Sequence, residues 1–212
     1  MSIVWPCPLA VDEYAQMGRA VQVPRPDCPS CLVPVVFWSG YWRFAREQGA
    51  ERKIFIPRVR CPRCGATHAV LPAFALVRRL DAAECAGVVI GQVAAGVSGV
   101  RPAAAGIGVP YTTARGWVRR FAARAGELAV SFSALAVELG GEVVVRPQPD
   151  PLRSAVAVIS AAFTAAAVLP GWAGLGAWRF AAAVTGGCLL AANASSPWLI
   201  IGRRRFLPPR SP

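Results

Sequence analysis

Cys28, Cys31, Cys61 and Cys64 form two Cys-x-x-Cys pairs separated by 29 residues. Each pair sets two sulfurs on one tight turn, so four thiolates can converge on one ion with bonds of about 2.3 Å and leave no coordination position open. This spacing predicts one structural zinc ion per chain. Gly65 follows Cys64 where a knuckle needs a residue that accepts positive φ, and Pro29 and Pro62 lie inside the turns. The first knuckle carries Leu32 at the position equivalent to Gly65. The gap exceeds the roughly 15 to 20 residues usual for such patterns. The charged stretch 46–53, which contains Gly49, is the expected extra loop.

A disulfide framework fits the chain less well. There are seven cysteines, an odd number, and 212 residues are enough to bury a core without covalent staples. Pro6, Cys7 and Pro8 interrupt the short apolar start and no basic region precedes it, which argues against a secretory leader. Cys7, Cys85 and Cys188 stand singly in apolar surroundings and are expected as buried spectators. His68 is the only histidine and lies four residues after Cys64. With four cysteines already in place, it is expected outside the ligand set, on the surface or beside the ligands.

The segments that would position these groups are β-prone. Val35 to Trp38 and Tyr41 to Phe44, joined by Ser39-Gly40, predict a hairpin. Ile54 to Arg60 predicts a strand running into the second knuckle, with Ala69 to Leu71 returning beside it. Three short strands with two knuckles make a zinc ribbon. Trp38, Trp42 and Phe44 are expected to cover its small core rather than to stack on bases.

From residue 81 the apolar period changes. Asp81 as N-cap with Glu84 in the first turn, then Ala82, Ala86, Val89, Ile90, Val93 and Val97, predicts a helix stopped by Gly96, Ser98 and Gly99. A short second helix is expected over 102–107. Gly108 then supplies a turn, Val109 an apolar plug and Pro110 the start of a third helix over 110–124. This order has the form of a helix-turn-helix. Ala114, Trp117, Val118 and Phe121 would pack inward. Thr112, Arg115 and Arg119 would face out, with Tyr111 and Arg120 nearby, a disposition suited to reading base edges and phosphates of duplex DNA. Arg101 is the expected backbone contact.

Charge supports an anionic partner. The chain carries a formal +12, almost entirely as arginine, since Lys53 is the sole lysine. Residues 1–80 hold 11 basic and 5 acidic residues, 81–150 hold 6 of each, and 151–212 hold 6 basic and none acidic. Within the neutral middle, residues 98–125 contain five arginines and no acid. Such a patch suits a polyanion.

The zinc ribbon, the connector from Thr67 to Phe74 with Arg78 and Arg79, the Gly108-Val109-Pro110 turn and the run Arg115 to Phe121 together resemble the N-terminal DNA-binding part of insertion-sequence transposases. The likeness is closer to an uncharacterised actinobacterial family of stand-alone proteins with this layout. Trp178-Arg179-Phe180, Gly186 to Leu190, Asn193 and Pro197-Trp198 resemble that family's tail. The resemblance implies DNA binding, with Cys28, Cys31, Cys61 and Cys64 as zinc ligands and the helix at 110–124 as the reader. Nuclease chemistry does not carry over. It would need three gathered carboxylates to hold two divalent ions, yet no acid follows Asp150 and the eleven acids form no such group. No phosphate-cradling Gly-rich loop or nucleophile paired with histidine is evident either, so the expectation is a protein that is not an enzyme.

The C-terminal third is strongly apolar. Residues 154–178 form a 25-residue run without charge, longer than the 18 or so that define a membrane-span candidate. Pro170-Gly171 breaks the run and alanine and glycine dominate it, which favours two buried helices at 152–169 and 177–192. Their alanine-rich faces equally allow a homodimer. The expected architecture is α+β: an N-terminal segment 1–23, a ribbon 24–80, a helix-turn-helix with a following helix 81–142, a linker 143–151, an apolar helical pair 152–200 and a basic tail 201–212. The expected function is that of a zinc-containing protein that binds duplex DNA in the cytoplasm, at the nucleoid, in transcriptional control or mobile-element targeting. A membrane-associated or protein-interaction module and a transposase-derived fragment without function are the competing readings.

Overall fold

A computed structural model describes residues 2–140 and 150–191. Four strands and seven α-helices make a mixed α+β chain. The strands are β1 (Ser2–Trp5), β2 (Val36–Glu47), β3 (Ala50–Arg60) and β4 (Thr67–Pro72), in the sheet order β1-β4-β3-β2. β1 runs parallel to β4 and the other neighbours are antiparallel. Helix α1 (Val11–Met17) packs on β3, where the buried Tyr14 hydroxyl donates to the Phe55 carbonyl at 3.0 Å. β1 and α1 occupy a segment in which the sequence pattern marked no element.

The hairpin differs from expectation. Ser39 and Gly40 lie within β2, just past an irregularity that leaves Trp38 unpaired between Phe37↔Val59 and Ser39↔Arg58. The reversal comes at Gln48-Gly49, with φ values of 47° and 81°, between the paired Glu47 and Ala50. Two successive positive φ values give the turn whose twist matches the strands. Residues 46–53 are therefore the tip of one long hairpin instead of a loop. Gly40 is there for space: a Cβ at that position would overlap the Phe55 ring, which lies across the strand.

The helices follow as α2 (Ala83–Ala95), α3 (Val100–Gly106), α4 (Tyr111–Ala122), α5 (Ala125–Glu138), α6 (Pro151–Ala166) and α7 (Ala177–Val184). Gly96 at φ 71° ends α2, as its position suggested. The start differs. Ala82 is the N-cap, while the Asp81 carboxylate accepts from Arg46 Nε at 2.7 Å and Glu84 pairs with Arg179. Both acids are taken up by distant arginines, interactions that local capping patterns do not reveal.

The uncharged run is not one helix. α6 starts at Asp150, whose side chain accepts from Leu152 N–H at 2.9 Å, and it ends before the turns around Pro170-Gly171. α7 ends at Val184, well short of 192, because Thr185 caps back on Ala181 and Gly186 and Gly187 both turn left-handed. Among the described residues, no helix is long and apolar enough to cross a membrane. α6 packs on α5 and α7, and Phe180 of α7 gathers the rings of Phe132, Phe163 and Trp172 within 6.2 Å. One core thus runs from Val4 in β1 to Leu190. Most of the expected linker, the stretch from Asn193 to Trp198 and the basic tail with Arg203 to Arg205 lie outside the described residues.

α7 seats on α2 through one notch. Trp178 lies over Gly87, where a Cβ would overlap the indole, and meets Phe121 of α4 edge-on at 5.9 Å. Gly87→Ala would gain up to about 1 kcal/mol in helix propensity but overfill the notch at a cost of about 1–3 kcal/mol. We expect a net loss of stability in thermal unfolding, and we expect the loss to shrink in a background that already carries Trp178→Ala.

Candidate metal centre and cationic cleft

The two knuckles have the same backbone. In the first, Leu32 N–H donates to Cys28 O at 2.9 Å and Cys28 N–H to Val33 O at 2.8 Å. In the second, Gly65 N–H donates to Cys61 O at 3.0 Å and Cys61 N–H to Ala66 O at 2.8 Å. The matched residues both sit left-handed, Gly65 at φ 73° and Leu32 at φ 56°. The first knuckle therefore carries a leucine in a conformation that suits glycine. The first knuckle precedes β2 and the second joins β3 to β4, so the sheet brings together cysteines that are distant in sequence.

The four Sγ atoms all lie within 4.8 Å of one another, with Cys28 and Cys64 at 3.8 Å. Corners of a tetrahedron with bonds of about 2.3 Å are about 3.8 Å apart, so the donor set fits an ion as it stands. None of the four is in a disulfide. Beneath them, Val35, Val59 and Val70 form a small core separate from the main one. His68 is buried, with Nε2 3.8 Å from Cys28 Sγ. It stands beside the sulfurs, and the surface position that the sequence also allowed is not where it lies.

The sulfurs are electrostatically unequal. Burial works against ionisation at Cys61, but the N–H groups of Cys64 and Arg63 directed at its sulfur bring it down to about 7. Cys31 is pushed up to about 12, chiefly because its thiol proton is shared with Cys64, with burial and the other two sulfurs adding to this. Filling the site with a cation therefore has to displace protons. Of the single cysteines, Cys7 and Cys85 are buried and burial raises both thiols, Cys7 to about 11. Cys188 is half-buried and is raised for the same reason.

On α4, Ala114, Trp117 and Phe121 are buried and Val118 packs partly against the same core. Tyr111, Thr112, Arg115 and Arg119 are exposed and Arg120 is half-buried. Arg101, on α3, stacks its guanidinium 4.7 Å from the Tyr111 ring centroid. α4 also forms one wall of an open cleft of about 540 Å³ lined by Arg46, Arg78, Arg79, Arg115, Arg119 and Arg120. Arg78 and Arg79 belong to the segment that leaves β4, and Arg46 comes from β2. The one carboxylate in the lining, Asp81, is already bonded to Arg46. Arg78 is held at φ 56°. Arg79 is lowered first by burial and then by the neighbouring charge of Arg120, and its Nε is buried without a hydrogen-bond partner. Sequence reasoning had noted Arg78 and Arg79 only as part of a connector, and nothing local marked Arg46 as their neighbour.

Hydrogen bonds tie cleft and cysteine module together. Arg46 N–H donates to Leu80 O at 2.8 Å, and Ala82 N–H to Arg46 O at 2.9 Å. Arg43 donates to Leu76 O at 3.2 Å and to Arg79 O. The hairpin tip lies against the α3–α4 turn, where a Cβ at Gly108 would be 3.8 Å from Gly49 Cα.

Residues 28–104 match the model of a domain of unknown function (DUF6431). The match takes in all four cysteines, β2 to β4, α2 and part of α3. No curated protein and no solved structure matches the chain.

Three substitutions test this centre. Cys61→Ser should reduce metal content from about one ion per chain toward none, read by elemental analysis of the purified protein. Leu32→Gly relieves a left-handed leucine worth about 1–2 kcal/mol against about 0.5–1 kcal/mol of added chain entropy. Since Leu32 is 48 % exposed, little packing is lost. The metal-loaded variant should melt at or slightly above the parent's temperature, whereas Gly65→Leu should melt lower.

Proposed function

We propose that this protein is a zinc-containing, non-enzymatic DNA-binding protein that reads duplex DNA through α3, the turn at 107–110 and α4 acting as a helix-turn-helix. The observation that carries the reading is the cleft: six arginines, with the single carboxylate among them engaged by Arg46. Guanidinium groups held this close repel one another, and a polyanion offers the missing countercharge. Arg79, partly desolvated beside Arg120, gains most from a phosphate oxygen. Arg78 stores backbone strain at the same edge, as residues at ligand clamps often do.

In this reading Tyr111, Thr112 and Arg115 at the start of α4 meet base edges, while Arg101, Arg119 and Arg120 meet phosphate. Zinc is the ion assigned to Cys28, Cys31, Cys61 and Cys64, because a closed set of four thiolates at tetrahedral spacing suits a structural zinc. It would stabilise the hairpin and take no part in chemistry. The likeness of the turn and of Arg115 to Phe121 to transposase DNA-binding regions supports the same use, in transcriptional control or in targeting a mobile element.

Binding of the full-length protein to random duplex pools across a salt series tests the proposal. If Arg78, Arg79, Arg101, Arg119 and Arg120 each meet a phosphate, log K should fall against log salt with a slope of about −4 to −5. An Arg115→Ala, Arg119→Ala variant should lose any enriched sequence with Arg115 and reduce the slope by about 1 with Arg119. Absent or salt-insensitive binding would overturn the reading.

A further inference from the structure

The aromatic residues of β2 do not cover a core. β2 is the edge strand of the sheet, and Phe37, Trp38, Trp42 and Phe44 are 65, 55, 40 and 53 % exposed. Their register fixes how they lie. Phe37 pairs with Val59, Trp42 with Phe55 and Phe44 with Lys53, and because alternate residues of β3 share a face, Phe37, Trp42 and Phe44 stand in one row. Trp42 and Phe44 are two residues apart, about 6.8 Å along a strand, which is twice the roughly 3.4 Å spacing of stacked bases.

The row is braced and positively charged. Phe55 is buried, tucked across Gly40, and meets Trp42 edge-on at 5.3 Å, while Tyr14 bonds the Phe55 backbone from α1. Lys53 Nζ lies 5.5 Å from the Trp42 ring centroid, Arg60 4.8 Å from that of Trp38 and Arg19 5.6 Å from that of Phe55. The nearby carboxylates are engaged toward the hairpin tip, Asp12 by Arg52 at 2.7 Å and Glu51 by Arg46 at 3.7 Å. A surface for an apolar protein partner would not need cations over Trp42, Trp38 and Phe55. Rings that accept any base by stacking, interleaved with cations that follow a phosphate backbone, are the chemistry of single-strand binding.

We propose that the outer face of the β2–β3 hairpin is a binding site for single-stranded DNA, with Trp42 and Phe44 stacking on unpaired bases and Arg19, Lys53 and Arg60 drawing in the phosphates. The site is separate from the arginine cleft, and the inference does not depend on the duplex-binding proposal. Together the two sites would suit a junction between paired and unpaired DNA.

The test uses the full-length, metal-loaded protein and a fluorescein-labelled oligothymidylate of about 20 nucleotides. The parent should bind it with quenching of tryptophan fluorescence. Trp42→Ala and Phe44→Ala should each weaken binding about tenfold or more, while leaving metal content, the circular dichroism spectrum and duplex binding as they were. The Arg115→Ala, Arg119→Ala variant should retain oligothymidylate binding, so failure of the duplex reading would not be mistaken for failure of this one. Equal affinity for parent and ring variants, or no binding at all, would overturn the proposal. So would sedimentation showing that the parent self-associates through this strip and the ring variants do not, since the strip would then be an interface between copies of this chain.

Discussion

The meeting of the loop at 28–31 with the turn at 61–64 is the constraint on which the rest depends. Val35, Val59 and Val70 are the buried side chains beneath the sulfurs, whereas Ala45, Ile54 and Ile56 seat the rest of the hairpin in the main core. A cation bridging four thiolates supplies folding free energy directly. Bound there, it would act at the root of the hairpin, where β3 leaves for β4 and where the chain enters β2. The hairpin's far end would inherit part of that order.

What it touches is the helical part. Arg46 carries two backbone hydrogen bonds and an ion pair into the segment 80–82, Arg43 holds the carbonyls of Leu76 and Arg79, and Gly49 lies against the α3–α4 turn. The arginines of the cleft are therefore not on a free helix. Half come from α4 and half from the cysteine module and the segment that leaves it. The C-terminal third closes the other side. Trp178 fills the notch over Gly87, Arg179 pairs with Glu84 and donates to Leu9 O at 2.9 Å, and Arg124 donates to Cys188 O at 3.0 Å. The helices at 151–184 thus spend their apolar faces inside the chain.

Where a signal was local, the sequence carried it. Four cysteines at fixed spacing, Gly65 in its knuckle, Gly96 ending α2, and Gly108 and Pro110 framing the turn before α4 each act through the neighbouring backbone. The misread features are nonlocal. Ser39-Gly40 has the composition of a turn, but the glycine answers to a ring from β3, and the true turn uses Gln48, a residue with no strong turn preference. Asp81 and Glu84 have the spacing of a cap, yet arginines distant in sequence take both. The rings of β2 were expected in a core because a small module normally needs them, and only the tertiary packing reveals how exposed they stay. For the same reason half of the cleft was invisible: Arg46, Arg78 and Arg79 join Arg115, Arg119 and Arg120 by tertiary packing alone.

The most direct test of the account is the affinity for duplex DNA and its salt slope, measured on the same preparation before and after the metal is stripped with a chelator and then restored. If the thiolate centre orders the hairpin and the hairpin sets the cleft, the parent will hold about one ion per chain. Stripping will weaken binding at least tenfold and flatten the salt slope, and readdition will restore both. Unchanged affinity and slope in the stripped protein would contradict the account, because the cleft would then be organised without the centre.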